Sequence, residues 1–447
     1  MTLLAMTACR RVAADYTFAS VSATSLTVPL TRLPADFRAR ALRWAAQFSY
    51  CAYFEPNDLT YPEGPFRRLL GVAAEAPTAP HTLAELQTEL VGSSSTVPRF
   101  GFLTYEVKNE IEALHSHNAS GLAWPALHFF EAQTWLTWET DTVTLHGRTA
   151  GVLAAILATE VPPTAAPAVP PLTPRMPKAD YLAAVEAVRE DILNGEVYEL
   201  NLCQEFYAEG VQLDPTDVFL RLNAASPAPF AGFVRHQQHY LLCASPERFL
   251  SRHGTTLVSQ PIKGTIRRGL TSAEDDQQRH QLLHDEKERA ENLMIVDLVR
   301  NDLARVARTG TVQVPELFGL YPFRHVWQMI STVTAELQPA TSLPTILRAA
   351  FPMGSMTGAP KIRAMQLIEH YERTRRGLYS GSIGYVLPDG SFDFNVVIRS
   401  LQYRPDTGYL SFQVGSAITY DSVPEREYDE CLLKARAILE VLGAEIR

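Results

Sequence analysis

The sequence predicts an α+β protein, a layered sandwich of strands and helices rather than a Rossmann-type alternation. Three observations carry this. Strand-like runs rich in β-branched and aromatic residues occur on both sides of a proline-rich break. The helical stretches are few and unevenly placed. No internal repeat recurs at a fixed period.

"RFGFLTYEV" (99–107) and "LTWETDTVTLHG" (136–147) read as strands of an N-terminal region. "VPPTAAPAVPPLTPRMPK", Val161 to Lys178, is dense in proline and alanine and reads as an extended linker. This divides the chain into an N-terminal region 1–160, a linker 161–178 and a C-terminal region 179–447. "ADYLAAVEAVREDILNG" places Tyr181, Val185, Val188 and Ile192 on one helical stripe and stops at Gly195. "EVYELNLCQEFYAE" alternates like a strand. "HYLLCASPERFLSRHG" and "TLVSQPIKGTI" read as two strands around a turn at His253-Gly254. Residues 275–308 read as one long helical stretch. "GSIGYVLPDGSFDFNVVIRSLQY" reads as two strands joined at Pro388-Asp389-Gly390, "GYLSFQVGSAITYDS" as another, and "PEREYDECLLKARAILEVLG" as a closing helix.

With 447 residues the chain exceeds one ordinary compact domain. Its 46% hydrophobic and 20% charged content fit a globular protein. The net charge of −9 argues against nucleic acid and anionic membrane surfaces as partners, and an anionic substrate needs a local basic pocket. The five cysteines, at 9, 51, 203, 243 and 431, show no C-x-x-C spacing, which points to a reducing, cytoplasmic setting. Apolar runs such as "GVLAAILA" are too short to span a bilayer, and no basic stretch precedes the apolar N-terminus, so no signal peptide is expected.

Several residues stand out chemically. Glu288 and Glu291 share one helical face, as do Glu427 and Glu430, with Lys434 one turn on. As lone pairs such glutamates more often form solvated faces, but two pairs on separate helices can converge on one hard cation such as Mg²⁺. "FPMGSMTGAPKIRAM" runs a glycine-rich turn containing Ser355 into a helix, either an ordinary N-terminal loop or an anion site. Arg399 lies in an apolar strand, suited either to a structural salt bridge or to capture of a carboxylate. Glu247 follows a Ser-Pro turn, sixteen residues before Lys263.

These segments together resemble the chorismate-utilising enzyme family. "SPERF", "PIKGTIRRG", "AENLMIVDLVRND", "GSMTGAPKIRAM", "GSIGYV", "IRSL" and "DSVPEREYDECLLKARAIL" occur in the family's order, densely over 178–443. "FSYCAYFEPND" and "SPAPFAGF" resemble the walls of the family's tryptophan site more loosely. The resemblance implies two stacked β-sheets with helices outside, to which both chain halves contribute. It implies Glu291 and Glu430 as direct magnesium ligands, with Glu288 and Glu427 in support. It also implies chorismate contacts from Gly264, Thr265, Ser355, Tyr385, Arg399, the backbone at Gly415 and Ser416, and Lys434, with Glu247 as general acid and Lys263 as nucleophile.

Within the family, Lys263 resembles the branch that aminates chorismate at C4 to 4-amino-4-deoxychorismate, on the way to 4-aminobenzoate and folate. The anthranilate branch resembles alanine there and is the alternative, beside a non-catalytic chorismate or tryptophan binder. Gln204 stands where isochorismate and salicylate synthases are expected to carry a water-activating lysine. Gln328 stands where the anthranilate branch has a histidine linked to pyruvate elimination, and Ala417 replaces a common glycine. No cysteine has a glutaminase setting, so ammonia is expected from solution or from a separate glutamine amidotransferase subunit. Burial, magnesium and one of Arg267 and Arg268 are expected to make Lys263 neutral enough to attack.

Overall fold

The computed structural model describes residues 25–76, 79–92, 96–162 and 167–447. Two antiparallel sheets carry the architecture. The larger has twelve strands. Five from the N-terminal region, including Tyr50–Glu55 and Leu69–Ala73, lead to Phe230–His236. Beyond it lie His239–Ser245, Ser400–Arg404, Tyr409–Ile418, Glu199–Ala208 and Gly358–Ala359, while Thr173–Pro174 pairs with Glu199–Ala208. The smaller has nine strands, from Ile262–Arg267 through Val326–Glu336, Thr256–Gln260, Arg248–His253, Phe392–Asn395 and Ser382–Val386 to Arg99–Leu103 and Leu127–Glu131. Gln313–Pro322 pairs with Val326–Glu336 on the side. Both sheets therefore mix strands from before and after the proline-rich stretch, which separates sequence regions that share one core.

The sheets face each other through alternate residues. Phe54 from the larger sheet packs against Phe100 and Tyr385 from the smaller, at centroid separations of 6.0 and 5.3 Å. Gly71 makes the approach feasible, because a Cβ there would lie 2.2 Å from the Phe100 ring. The outer face of the larger sheet is covered by the helix Lys178–Leu193, through Tyr181, Val185 and Val188, and by the closing helix Pro424–Leu442.

Three elements differ from the sequence reading in ways that place the site. The segment 239–254 is two strands. His239–Ser245 belongs to the larger sheet and Arg248–His253 to the smaller, and Ser245-Pro246-Glu247 is the crossing between them. Likewise 381–403 holds three strands, with a second crossing at Val396–Arg399. The two crossings lie side by side: Val396 N donates to Glu247 O at 3.0 Å and Ala244 N to Arg399 O at 3.1 Å. The stretch 275–308 is two helices, Ser272–His284 and Glu286–Ala304. Asp285 breaks them, its side chain capping Glu288 N at 3.0 Å.

Candidate active site

The site forms where the two crossings meet the edge strand carrying Lys263. Pro261 ends the preceding strand. Ile262–Arg267 then pairs with Val326–Glu336 through a register shift between Ile262 and Thr265. Gly264, at φ +99°, sits in that bulge, and Met329 Cβ would lie 3.0 Å from any Cβ added to it. A bulge re-aims the neighbouring side chain, and here that side chain is Lys263. Asn292, 1% exposed, pins the turn by donating from Nδ2 to Lys263 O at 3.1 Å. Thr265 is exposed and pairs with Gln328 across the strands.

Glu247 is buried at the first crossing. Ser355, from the turn Gly354–Met356, donates from Oγ to Glu247 Oε1 at 2.7 Å. Burial pushes the Glu247 carboxyl up to about 7, while Ser355, the Ile262 N–H and Lys263 pull against that rise. A carboxyl balanced there can give up a proton near neutral pH.

Lys263 meets carboxylates, not arginines. Its Nζ lies 2.5 Å from Glu199 Oε1, and its side chain is 12% exposed. Burial pulls its pKa down, but Glu199, Glu291 and Glu430 outweigh this and the net direction is up. The expected help from Arg267 or Arg268 is therefore corrected. Arg267 pairs with Glu274 and Arg268 with Asp275, each at 2.6 Å.

The two glutamate pairs approach each other across the helices Glu286–Ala304 and Pro424–Leu442. Lys287 feels Glu291, Glu427, Glu288 and Glu430 together, and they lift its pKa against burial. Burial pushes Glu291 up to about 7, and Glu288 also rises. Burial acts upward on Glu430 too, but Lys434, 2.7 Å away, brings it net below the ordinary value. Glu427 is buried. Among the described residues no three acidic, imidazole or thiol groups stand close enough to grip one ion. The donor set nevertheless suits a hard divalent cation, being all carboxylate oxygen with local negative charge that Lys287 and Lys434 only partly offset.

Arg399 occupies the second crossing at φ +52°. Among the described residues no carboxylate lies within ion-pair distance of it. Burial lowers its pKa; the opposing influences are Tyr379 and Glu430. The salt-bridge alternative thus finds no partner among the described residues, and an uncompensated half-buried guanidinium is suited to an anionic ligand. Lys434 Nζ also donates to Gly415 O at 2.8 Å. Gly415 cannot carry a side chain, since a Cβ would lie 2.5 Å from Cys203 Sγ.

Two sequence assignments are corrected, those of Tyr385 and Gln204. Tyr385 does not join this cluster: it packs between Phe54 and Phe66, and its hydroxyl accepts from Arg67 N at 3.0 Å. The tyrosine beside Arg399 is Tyr379, six residues earlier, whose hydroxyl accepts from Cys203 Sγ at 3.7 Å. Ser416 turns its side chain to the other face, where Oγ meets Tyr181 Oη at 3.0 Å, so only its backbone runs along Gly415. Gln204 is also on that other face of its strand, with Leu202 and Phe206 of the helix-covered core. The strand residue that meets Lys263 is Glu199. Sequence reasoning missed Glu199, Tyr379 and Asn292. Glu199 shares its strand with Asn201, Gln204 and Glu205, so nothing in the sequence singled it out.

A family model described as chorismate binding enzyme matches residues 42–440, and the chain belongs to that family. Component 1 of aminodeoxychorismate synthase from Escherichia coli (strain K12) is 43% identical over 267 residues, 60% of this chain and 58% of that protein. The Bacillus subtilis (strain 168) protein of the same name is 38% identical over 262 residues, 59% of this chain and 55% of its own length. Little more than half the length of each relative is thus matched. The crystal structure of anthranilate synthase component I from Streptococcus pneumoniae TIGR4 superposes with a TM-score of 0.70 at 25% identity, covering 95% of this chain and 94% of that one.

Proposed function

We propose that the chain aminates chorismate at C4 with ammonia, giving 4-amino-4-deoxychorismate, as aminodeoxychorismate synthase component 1. The observation that carries this is that the Lys263 charge reaches Glu247, a buried carboxyl poised at about 7 and held by Ser355 at the first crossing. In this reading Lys263, once neutral, adds through Nζ to C2 of the ring. The C4 hydroxyl leaves as water with the Glu247 proton. Ammonia then attacks C4, the C2–N bond breaks, and Lys263 is released as an amine. The enolpyruvyl ether stays intact.

Arg399 would hold a substrate carboxylate, a role supported by its lack of an anionic partner and by Tyr379 acting on it. Glu291 and Glu430, supported by Glu288 and Glu427, would hold Mg²⁺, which when bound supplies positive charge to the ring carboxylate. A separate glutamine amidotransferase is the proposed ammonia source, and 4-aminobenzoate and folate the pathway served. The test is product analysis by chromatography and mass after incubating the chain with chorismate, magnesium chloride and an ammonium salt. Aminodeoxychorismate without pyruvate is expected. Anthranilate with released pyruvate would overturn the reading in favour of the anthranilate branch.

A further inference from the structure

Lys263 is a protonated amine in a nest of carboxylates, yet the proposed reaction needs it neutral. At an ordinary lysine pKa of about 10.4, roughly one side chain in a few thousand is neutral at pH 7, and its neighbours push Lys263 further from neutrality. The proton must have somewhere to go.

The charged groups facing Lys263 come from four elements. The long helix brings Glu288, Glu291 and Lys287, and the closing helix Glu430 and Lys434. The first crossing brings Glu247. The larger sheet brings Glu199. Among the described residues, only Glu199 is in hydrogen-bond contact with Nζ, at 2.5 Å. Glu247 is committed to Ser355 and Glu430 to Lys434.

Glu199 is 1% exposed, and its second oxygen, Oε2, is buried with no hydrogen-bond partner among the described residues. A carboxylate kept only for structure at that depth ordinarily satisfies both oxygens. Glu199 thus has one oxygen on the reacting amine and spare acceptor capacity beside it.

We propose that Glu199 is the base that takes the Lys263 ammonium proton before attack and returns it after release. This rests on the reading of Lys263 as nucleophile. Proton transfer within the pair turns two buried charges into none, so it becomes easier as bound substrate excludes water. The balance closes. Ammonium and carboxylate become amine and carboxylic acid, and the amine forms the C2–N bond while Glu247 supplies the proton for the departing water. Ammonia attacks C4, the C2–N bond breaks and releases the lysine as a neutral amine, and the Glu199 proton then restores the ammonium. Glu247 is reprotonated from the ammonium that supplied the ammonia.

The experiment follows covalent adduct formation in a rapid quench of chain, magnesium chloride and chorismate without ammonia, read as an intact-mass gain of chorismate less one water. Wild type, Glu199→Gln and Glu199→Asp are compared from pH 6.5 to 9. At pH 7 the E199Q rate is expected to fall about 10²-fold or more. The wild-type-to-E199Q ratio should then shrink about tenfold per pH unit, because solvent must remove the lysine proton. E199D retains a carboxylate, so its ratio to wild type should not change with pH.

A ratio below about threefold at pH 7, or a large ratio constant with pH, would overturn the proposal and leave Glu199 a structural anchor. If E199Q lacks the wild-type melting transition, E199D decides: a pH-dependent ratio contradicts the proposal. Amination without any wild-type adduct would sink the nucleophile itself. An adduct with a constant ratio would sink only the role of Glu199.

Discussion

Two regions of the molecule treat charge differently, one buried between the sheets and one opening toward the helices Glu286–Ala304 and Pro424–Leu442. Around Tyr385 the rings of Phe54, Phe66, Phe230 and Tyr61 pack edge to face, and every buried cation has its anion. Arg248 is bidentate to Asp393 at 2.9 and 2.8 Å and also reaches Gln260 and Gly64 O, and Arg68 is held by Glu55. Around Lys263 the account does not close. Arg399 lacks an anion, Glu199 Oε2 lacks a donor, and carboxylates crowd Lys287. The first region is finished in charge, although the Tyr61 hydroxyl has no partner among the described residues, and paired charges stabilise a fold whereas unpaired ones await a ligand. The stretches "FSYCAYFEPND" and "SPAPFAGF", which resemble a tryptophan site, line the finished region.

Mutations should separate the two regions, most sharply at Lys263. K263A is expected to lower kcat by more than about 10³-fold while chorismate KM moves only a few-fold; steady-state kinetics with ammonium decide. E247Q should cost about 10²–10⁴-fold in kcat. With Glu247 as the proposed acid, wild-type activity should fall as pH rises through about 7. That limb should vanish in E247Q.

R399A removes a charged contact worth about 1.5–3 kcal/mol, so KM for chorismate should rise roughly 10- to 100-fold. S355A removes a bond that favours the Glu247 carboxylate. Its activity limb should therefore move to higher pH, which a pH–rate series at saturating chorismate would reveal. The smallest effect belongs to the finished region. Y385F should leave KM and kcat unchanged and cost about 1 kcal/mol of stability, read by denaturant titration, because only the bond from Arg67 N is lost.

Much of this was legible in the chain. The periodicity of the closing helix, the strand alternation and the E-x-x-E spacings are local signals, and they marked both glutamate pairs, whereas Lys263 and Glu247 stood out only through the family resemblance of "PIKGTIRRG" and "SPERF". What was not legible is where a strand leaves one sheet for the other. The crossings at Ser245–Glu247 and Val396–Arg399 look like continuous strands in sequence, yet they aim Glu247 and Arg399. Strand parity decided two further points. Gln204 and Glu199 are five residues apart, so they face opposite ways, and only the partner strand settles which side holds Lys263. Tyr379 and Tyr385 are equally aromatic and equally buried, and only packing assigns one to Arg399.

The most direct test is peptide mapping of the wild-type chain quenched during incubation with chorismate and magnesium chloride. The account predicts a mass gain of chorismate less one water on the peptide containing Lys263, absent from K263A. Full amination activity with no modified peptide at any quench time would contradict it.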